Sequence, residues 1–199
     1  MSVLAGDVLT PIRWNRDLSR HWRRLDLDAV ASTVAAVAGH AGEPLPYTRI
    51  DGRPAFPLIV IDGCVAAARL RSHQGPILDR VRLRDYAACG FADAPPLAVR
   101  LTGLVTVEPM KYACRHLAGL RTWASTVAAV PSWRTVDDLD AAACDFYGYP
   151  VYASDGQTAS PVKIGDQSVR PACRRPDAWG RLRDEQMFQL ALVSGLVRS

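Results

Sequence analysis

The chain has 199 residues, of which 49% are apolar and 22% are charged, a composition typical of a globular protein with a hydrophobic core. No run of about 18 uncharged apolar residues occurs, which excludes a membrane-spanning helix. Met1 to Ala5 is followed by Asp7 and then by arginines, so we expect no signal peptide and a cytoplasmic location. The formal net charge of +4 comes almost wholly from arginine, which binds phosphate and carboxylate groups but is also favoured by GC-rich coding sequences.

Residues 1–28 are predicted to form a basic N-terminal arm, and residues 29–199 a single domain that ends in a C-terminal helix. If the arm is helical, Trp14, Leu18 and Trp22 share one face and arginines flank it. One interpretation is an amphipathic helix packed on the domain or on a second subunit. The other is a contact with nucleic acid, which no DNA-binding motif supports. The arginines that would contact phosphates are Arg16, Arg20, Arg23 and Arg24.

The first half of the domain begins with a helix that Asp28 would cap and that extends to about Ala38. Asp51-Gly52 predicts a tight turn between two strands. We expect these strands at Tyr47 to Ile50 and Pro54 to Ile61, and a further strand at Cys64 to Leu70.

The second half contains the clearest strand, Leu97 to Val107, in which the apolar alternation slips at Gly103 and indicates a bulge. We also predict a partial strand at Val81 to Phe91, a helix at Lys111 to Val130 and an aromatic strand at Asp145 to Tyr152. Further predictions are a short strand at Pro161 to Ile164 and a final helix at Asp177 to Leu196.

A polar hinge follows the segment from Cys64 to Leu70. It contains Arg69, Arg71, Ser72 and His73, whose side chains can offer several charge-assisted hydrogen bonds to a phosphate or propionate group. The hinge is therefore the candidate ligand-binding segment.

Three segments carry a family resemblance. Tyr47 to His73 contains a DGRP turn, an apolar strand and an A-R-L-x-x-H ending. Pro96 to Pro109 is similar to a strand of the form R-L-T-x-x-G-x-A-x-P, and Asp145 to Tyr149 to a strand of the form D-F-x-L-Y. Together they resemble the pyridoxamine 5′-phosphate oxidase-like split β-barrels, most of all the haem-utilisation branch.

The resemblance implies an α+β fold, an antiparallel split β-barrel flanked by helices. It also implies a homodimer with FMN, a deazaflavin or haem at the subunit interface, and a flavin- or haem-related oxidoreductase activity. Arg69, Arg71, Ser72 and His73 would hold the anionic end of the cofactor, and Arg100 and Thr102 on the neighbouring strand could reach the same groove.

Two features depart from that family. Pro76-Ile77 stands where an asparagine-leucine pair usually begins a helix, and the last histidine is His116, so the C-terminal iron ligand of the haem-degrading members is missing. An alternative function is a non-catalytic binding or assembly subunit that contacts a protein or nucleic acid through the basic arm.

Other chemistries lack a motif. The four histidines have no metal-ligand spacing, and the five cysteines form no CxxC pair, so we expect no metal site and cysteines that are mostly buried small hydrophobes. No GxSxG or GxGxxG sequence occurs. The sequence identifies no catalytic acid, base or nucleophile.

Overall fold

A computed structural model describes residues 9–163 and 177–197. The strands are β1 (Glu43–Pro44), β2 (Thr48–Ile50), β3 (Arg53–Ile61), β4 (Val99–Thr106), β5 (Ser125–Pro131), β6 (Val151–Ser154) and β7 (Ala159–Lys163). The helices are α1 (Arg16–His21), α2 (Leu27–Val37), α3 (Gly63–Arg71), α4 (Arg80–Ala88), α5 (Met110–Leu120), α6 (Asp138–Tyr147) and α7 (Ala178–Val193). The predicted end of the short strand at Ile164 and the predicted burial of Cys173 concern residues outside the described ranges.

The strands form an open, mixed sheet in the order β1-β3-β4-β5-β6-β7, with β2 also pairing with β3. β3 and β4 are antiparallel, β4, β5 and β6 are parallel, and β7 returns antiparallel to β6. The parallel strands need crossover connections, which α5 and α6 supply. A mixture of helices and sheet is thus shown, whereas an antiparallel split barrel is not confirmed.

Helices cover both faces of the sheet. On one face, α1 and α2 pack on Phe56, Val105 and Val127. On the other face, α5 and α6 pack on Ala128 and Val130, while α7 packs on the first half of β4. The parallel strands are buried on both sides, as parallel strands usually are.

The predicted turn and the bulge in β4 are confirmed. Asp51 and Gly52 both have positive φ, at 47° and 77°, as a type I′ turn between β2 and β3 requires. Across the β3–β4 pair, Leu58 faces Gly103 while Ile59 faces Leu101, so one extra residue stands in β4. The slip in alternation therefore reports a real bulge.

Two predicted strands are wrong, because aspartates cap helices there. The segment Cys64 to Leu70 belongs to α3, where the Asp62 carboxylate accepts a hydrogen bond from the backbone N–H of Val65 at 3.0 Å. The segment Val81 to Phe91 is mostly α4, and Asp79 caps it in the same way. The hinge at Arg69 thus lies in a helix and does not join two strands.

Two predictions in the second half of the chain are also wrong in part. The predicted helix from Lys111 to Val130 ends at Leu120, and β5 occupies its second part. The predicted strand from Asp145 to Tyr152 begins as α6, which Gly148 ends in the left-handed conformation. The final helix is confirmed as α7.

The described part of the N-terminal arm folds onto the domain. Leu18 and Trp22 are buried against α2, and the Trp22 indole N–H donates to the carbonyl of Val107 at 2.8 Å. This contact fixes α1 just beyond the carboxyl end of β4.

No helix within residues 9–163 and 177–197 is long and apolar enough to span a bilayer.

Candidate anion-binding site at the carboxyl ends of β4 and β5

Arg69, the first residue of the predicted cofactor set, is a structural residue in this fold. It is 2% exposed, and its guanidinium forms a bidentate ion pair with Glu185, with both N···O distances at 2.9 Å. Its remaining N–H groups donate to the carbonyls of Gln74, Gly75 and Pro96. All five donors are used, so none is left for a ligand.

The other predicted residues do not assemble into a phosphate site as placed. Arg71, Ser72 and His73 are exposed at the C-terminal end of α3, where the helix dipole repels an anion. Arg100 is exposed on β4, and the Thr102 hydroxyl is directed to the carbonyls of Ala41 and Leu58. Within this single chain the predicted set is therefore not brought together, and its contact with a cofactor stays a prediction.

A different set of side chains meets at the carboxyl ends of β4 and β5. Glu108 follows β4, Arg134 follows β5, and His21 arrives at the end of α1. Three adjoining cavities of about 380, 400 and 500 Å³ open there, and His21 and Arg134 line all of them. Ligands of open α/β sheets bind at this kind of edge.

The first cavity is cationic. Arg20, Arg23 and Arg134 line it together with His21, Trp133 and Thr135. The Arg23 guanidinium lies over the Trp133 ring, 4.7 Å from its centroid, which holds this flexible side chain against the cavity wall. Among the described residues, none of these arginines forms an ion pair, so their charge is available to an anion.

The second feature is a carboxylate with a buried donor. The Tyr47 hydroxyl donates to the Glu108 carboxylate, and Tyr47 is only 3% exposed. Burial, together with this hydrogen bond, raises the pKa of Tyr47 well above its usual range. Tyr47 therefore stays protonated and holds Glu108 in a fixed orientation between the cationic cavity and α5.

Two histidines lie close enough to Glu108 to sense its charge. Burial lowers the pKa of His21, the Arg134 charge lowers it further, and Glu108 partly offsets both effects. Burial likewise lowers the pKa of His116, whose buried Nδ1 has no hydrogen-bond partner among the described residues. The lowered pKa values favour the neutral form of both rings at neutral pH, and His21, which lines all three cavities, can accept a proton from a ligand or donate a ring N–H.

The third feature is a more apolar cleft between the starts of α5 and α6. Its wall includes Met110, Val130, Pro131 and Val136. Asp137 caps α6, whereas Pro109 gives α5 no side-chain cap, so the first N–H groups of α5 lack a side-chain acceptor. The cleft can accommodate the uncharged part of a ligand whose anion lies among the arginines.

The basic arm in the sequence indicates part of this site, Arg20 and Arg23, whereas no sequence motif points to Glu108, Arg134 or Tyr47. The signal that could have found Glu108 and Arg134 is their position directly after parallel strands. That signal was hidden because β5 was assigned to a helix.

Comparison with protein-family models, with curated proteins and with solved structures found no match to this chain. Within the described residues, no group of three or more histidine, cysteine, aspartate or glutamate side chains could hold a metal ion.

Proposed function

We propose that this chain binds a small phosphate-bearing molecule at the carboxyl ends of β4 and β5. The observation that supports the proposal best is the convergence of Arg20, Arg23 and Arg134 from two separate chain segments on one cavity. No carboxylate lies among the described residues that line it. A phosphate group suits this geometry because its oxygens can accept hydrogen bonds from several guanidinium groups at once.

The remainder of the ligand would extend past His21 into the cleft between α5 and α6. Met110 and Val130 would cover apolar atoms there, whereas Asp137 and Asp140 line the same cleft and disfavour additional negative charge. Glu108 and His21 would lie beside the ligand as candidate proton acceptors.

The test is isothermal titration calorimetry with inorganic phosphate, AMP and FMN as probes. Arg134→Met keeps the aliphatic stem and removes the charge. A charge-assisted hydrogen bond contributes roughly 1.5–3 kcal/mol, so this variant should weaken binding by about 10- to 150-fold. If none of the three probes binds the unaltered chain, the proposal is wrong.

Arg24→Met is the matched control. Arg24 is exposed in the same basic arm, but it lines none of the three cavities. Its variant should bind the probes as tightly as the unaltered chain. An equal loss in Arg24→Met and Arg134→Met would show a diffuse charge effect and would contradict a defined site.

The same pair of variants distinguishes binding of a small phosphate ligand from the alternative function. That alternative is a nucleic-acid contact through Arg16, Arg20, Arg23 and Arg24. An oligonucleotide bound along the exposed arm would lose affinity in Arg24→Met, and its binding would weaken steeply with salt. Arg20 and Arg23 are both exposed, so the observation that favours the small ligand is their convergence with Arg134, which lies outside the arm.

The flavin-, deazaflavin- or haem-dependent oxidoreductase implied by the family resemblance remains a separate prediction, as does the homodimer. It is tested by the absorbance of the purified protein between roughly 350 and 550 nm, together with light scattering for the oligomeric state. If Arg134→Met retains the cofactor absorbance of the unaltered chain, the cofactor binds outside the cavity that Arg20, Arg23 and Arg134 line.

A further inference from the structure

Cys114 and Cys144 lie in direct contact although they are separated by 30 positions in the sequence. Cys114 is on α5 and Cys144 is on α6, and their sulfur atoms are 3.1 Å apart. A disulfide bond is about 2.05 Å long, so a shift of about 1 Å by the side chains would bring the two sulfurs to bonding distance.

We propose that Cys114 and Cys144 are a dithiol that a low-molecular-weight disulfide oxidises to an intramolecular disulfide bond joining α5 to α6. Both helices pack on the same cluster around Ala128 and Val130, so their relative position is already set before the bond forms. The proposal is independent of ligand binding.

The two thiols have different roles in the reaction. Cys114 is partly exposed, so its thiolate attacks one sulfur of the reagent RSSR, forms a mixed disulfide and releases RS⁻. Cys144 is buried, and its thiolate then attacks the Cys114 sulfur and releases the second RS⁻. The protein loses two protons and two electrons, and the reagent is reduced to two thiols.

Burial and the contact with Cys114 raise the pKa of Cys144, which makes it a poor first nucleophile. The exposed cysteines Cys64 and Cys89 have no such neighbour among the described residues. They should therefore react with the reagent and keep its adduct, because no second thiol is in place to displace it.

The test exposes the unaltered chain to oxidised glutathione, alkylates the remaining thiols, digests without reduction and identifies linked peptides by mass spectrometry. We expect a peptide pair joined through Cys114 and Cys144 that separates on reduction. If both thiols are alkylated while Cys64 and Cys89 carry glutathione, the proposal is wrong.

A variant with Cys64→Ser, Cys89→Ser and Cys173→Ser retains only the proposed pair. After oxidation, its mass should fall by that of two hydrogen atoms, with no glutathione retained. Adding Cys144→Ala should stop the reaction at the mixed disulfide, so that one glutathione remains on Cys114. Retention of glutathione by the variant with both thiols would overturn the proposal.

Discussion

Replacing Glu185 by glutamine tests the central polar contact of the fold. The Glu185 carboxylate is fully buried and accepts hydrogen bonds from Arg69, Arg181 and the backbone N–H of Ile77. These contacts tie α7 to α3 and to the segment that follows α3. The amide of Glu185→Gln keeps the size of the side chain but removes the one carboxylate that pairs with the buried Arg69 among the described residues.

The expected cost follows from the burial of that pair. Arg69 and Glu185 have side-chain exposures of 2% and 0%, and removing one partner of a buried ion pair costs roughly 3–5 kcal/mol. For a chain of 199 residues, each kcal/mol lowers Tm by about 2–4 °C. We therefore expect Glu185→Gln to lower Tm by about 6–20 °C.

The assay is urea unfolding followed by circular dichroism, with the free energy of unfolding taken from the midpoint and the slope. Lys163→Met is the surface control, because the Lys163–Asp145 pair is 3.4 Å long and exposed, and such pairs contribute about 1 kcal/mol or less. The double variant Arg69→Met/Glu185→Met should lose less stability than Glu185→Gln, since it leaves only Arg181, which is 9% exposed, without its carboxylate and no longer strands the more deeply buried Arg69. A loss below about 1 kcal/mol in Glu185→Gln, with the slope unchanged, would refute the reasoning.

Two further predictions concern the backbone and the pH dependence. In Gly42→Ala, the new Cβ would lie 2.1 Å from the backbone oxygen of Ile59, so this variant should lose clearly more stability than the control Gly39→Ala. The Cβ of Gly39→Ala meets open space, so that variant bears only the roughly 1–2 kcal/mol cost of its positive φ. Equal losses of the two variants in urea unfolding would contradict the close approach at Gly42. Burial lowers the pKa values of His21, His40 and His116 in the folded state, so the unfolded chain binds protons first as the pH falls. The stability that these histidines contribute should be fully present above their ordinary pKa of about 6.5 and should fall as the pH drops below it. A free energy of unfolding that stays constant between about pH 7 and 5 in the unaltered chain would contradict the shifts.

The sequence predicted elements whose signals are local. The Asp51-Gly52 turn is specified by two residues, and the alternation in β4 revealed even its bulge. β5 was missed because it is buried on both faces, which removes the alternation, and because its Ala- and Val-rich composition continues the pattern of the preceding helix. Phe146 suggested a strand, yet it is 83% exposed on α6.

The candidate site could be predicted only in part. Tyr47, Glu108 and Arg134 lie on separate elements far apart in the sequence, and only the order of the strands brings them to one edge. Arg69 shows the converse limit. Its sequence context is that of an anion-binding residue, but its anion is Glu185, 116 positions away.

The long reach from Arg69 to Glu185 also constrains how the chain folds during synthesis. The segment that carries Arg69 leaves the ribosome well before α7, whose Met187, Phe188 and Leu190 complete the core beside β4. Until then, Arg69 must stay in water, because it has no counter-charge to accompany it into the interior. Contacts of such sequence separation slow folding. The packing of α3 beside the first half of β4 therefore reaches its native form only after α7 has been made.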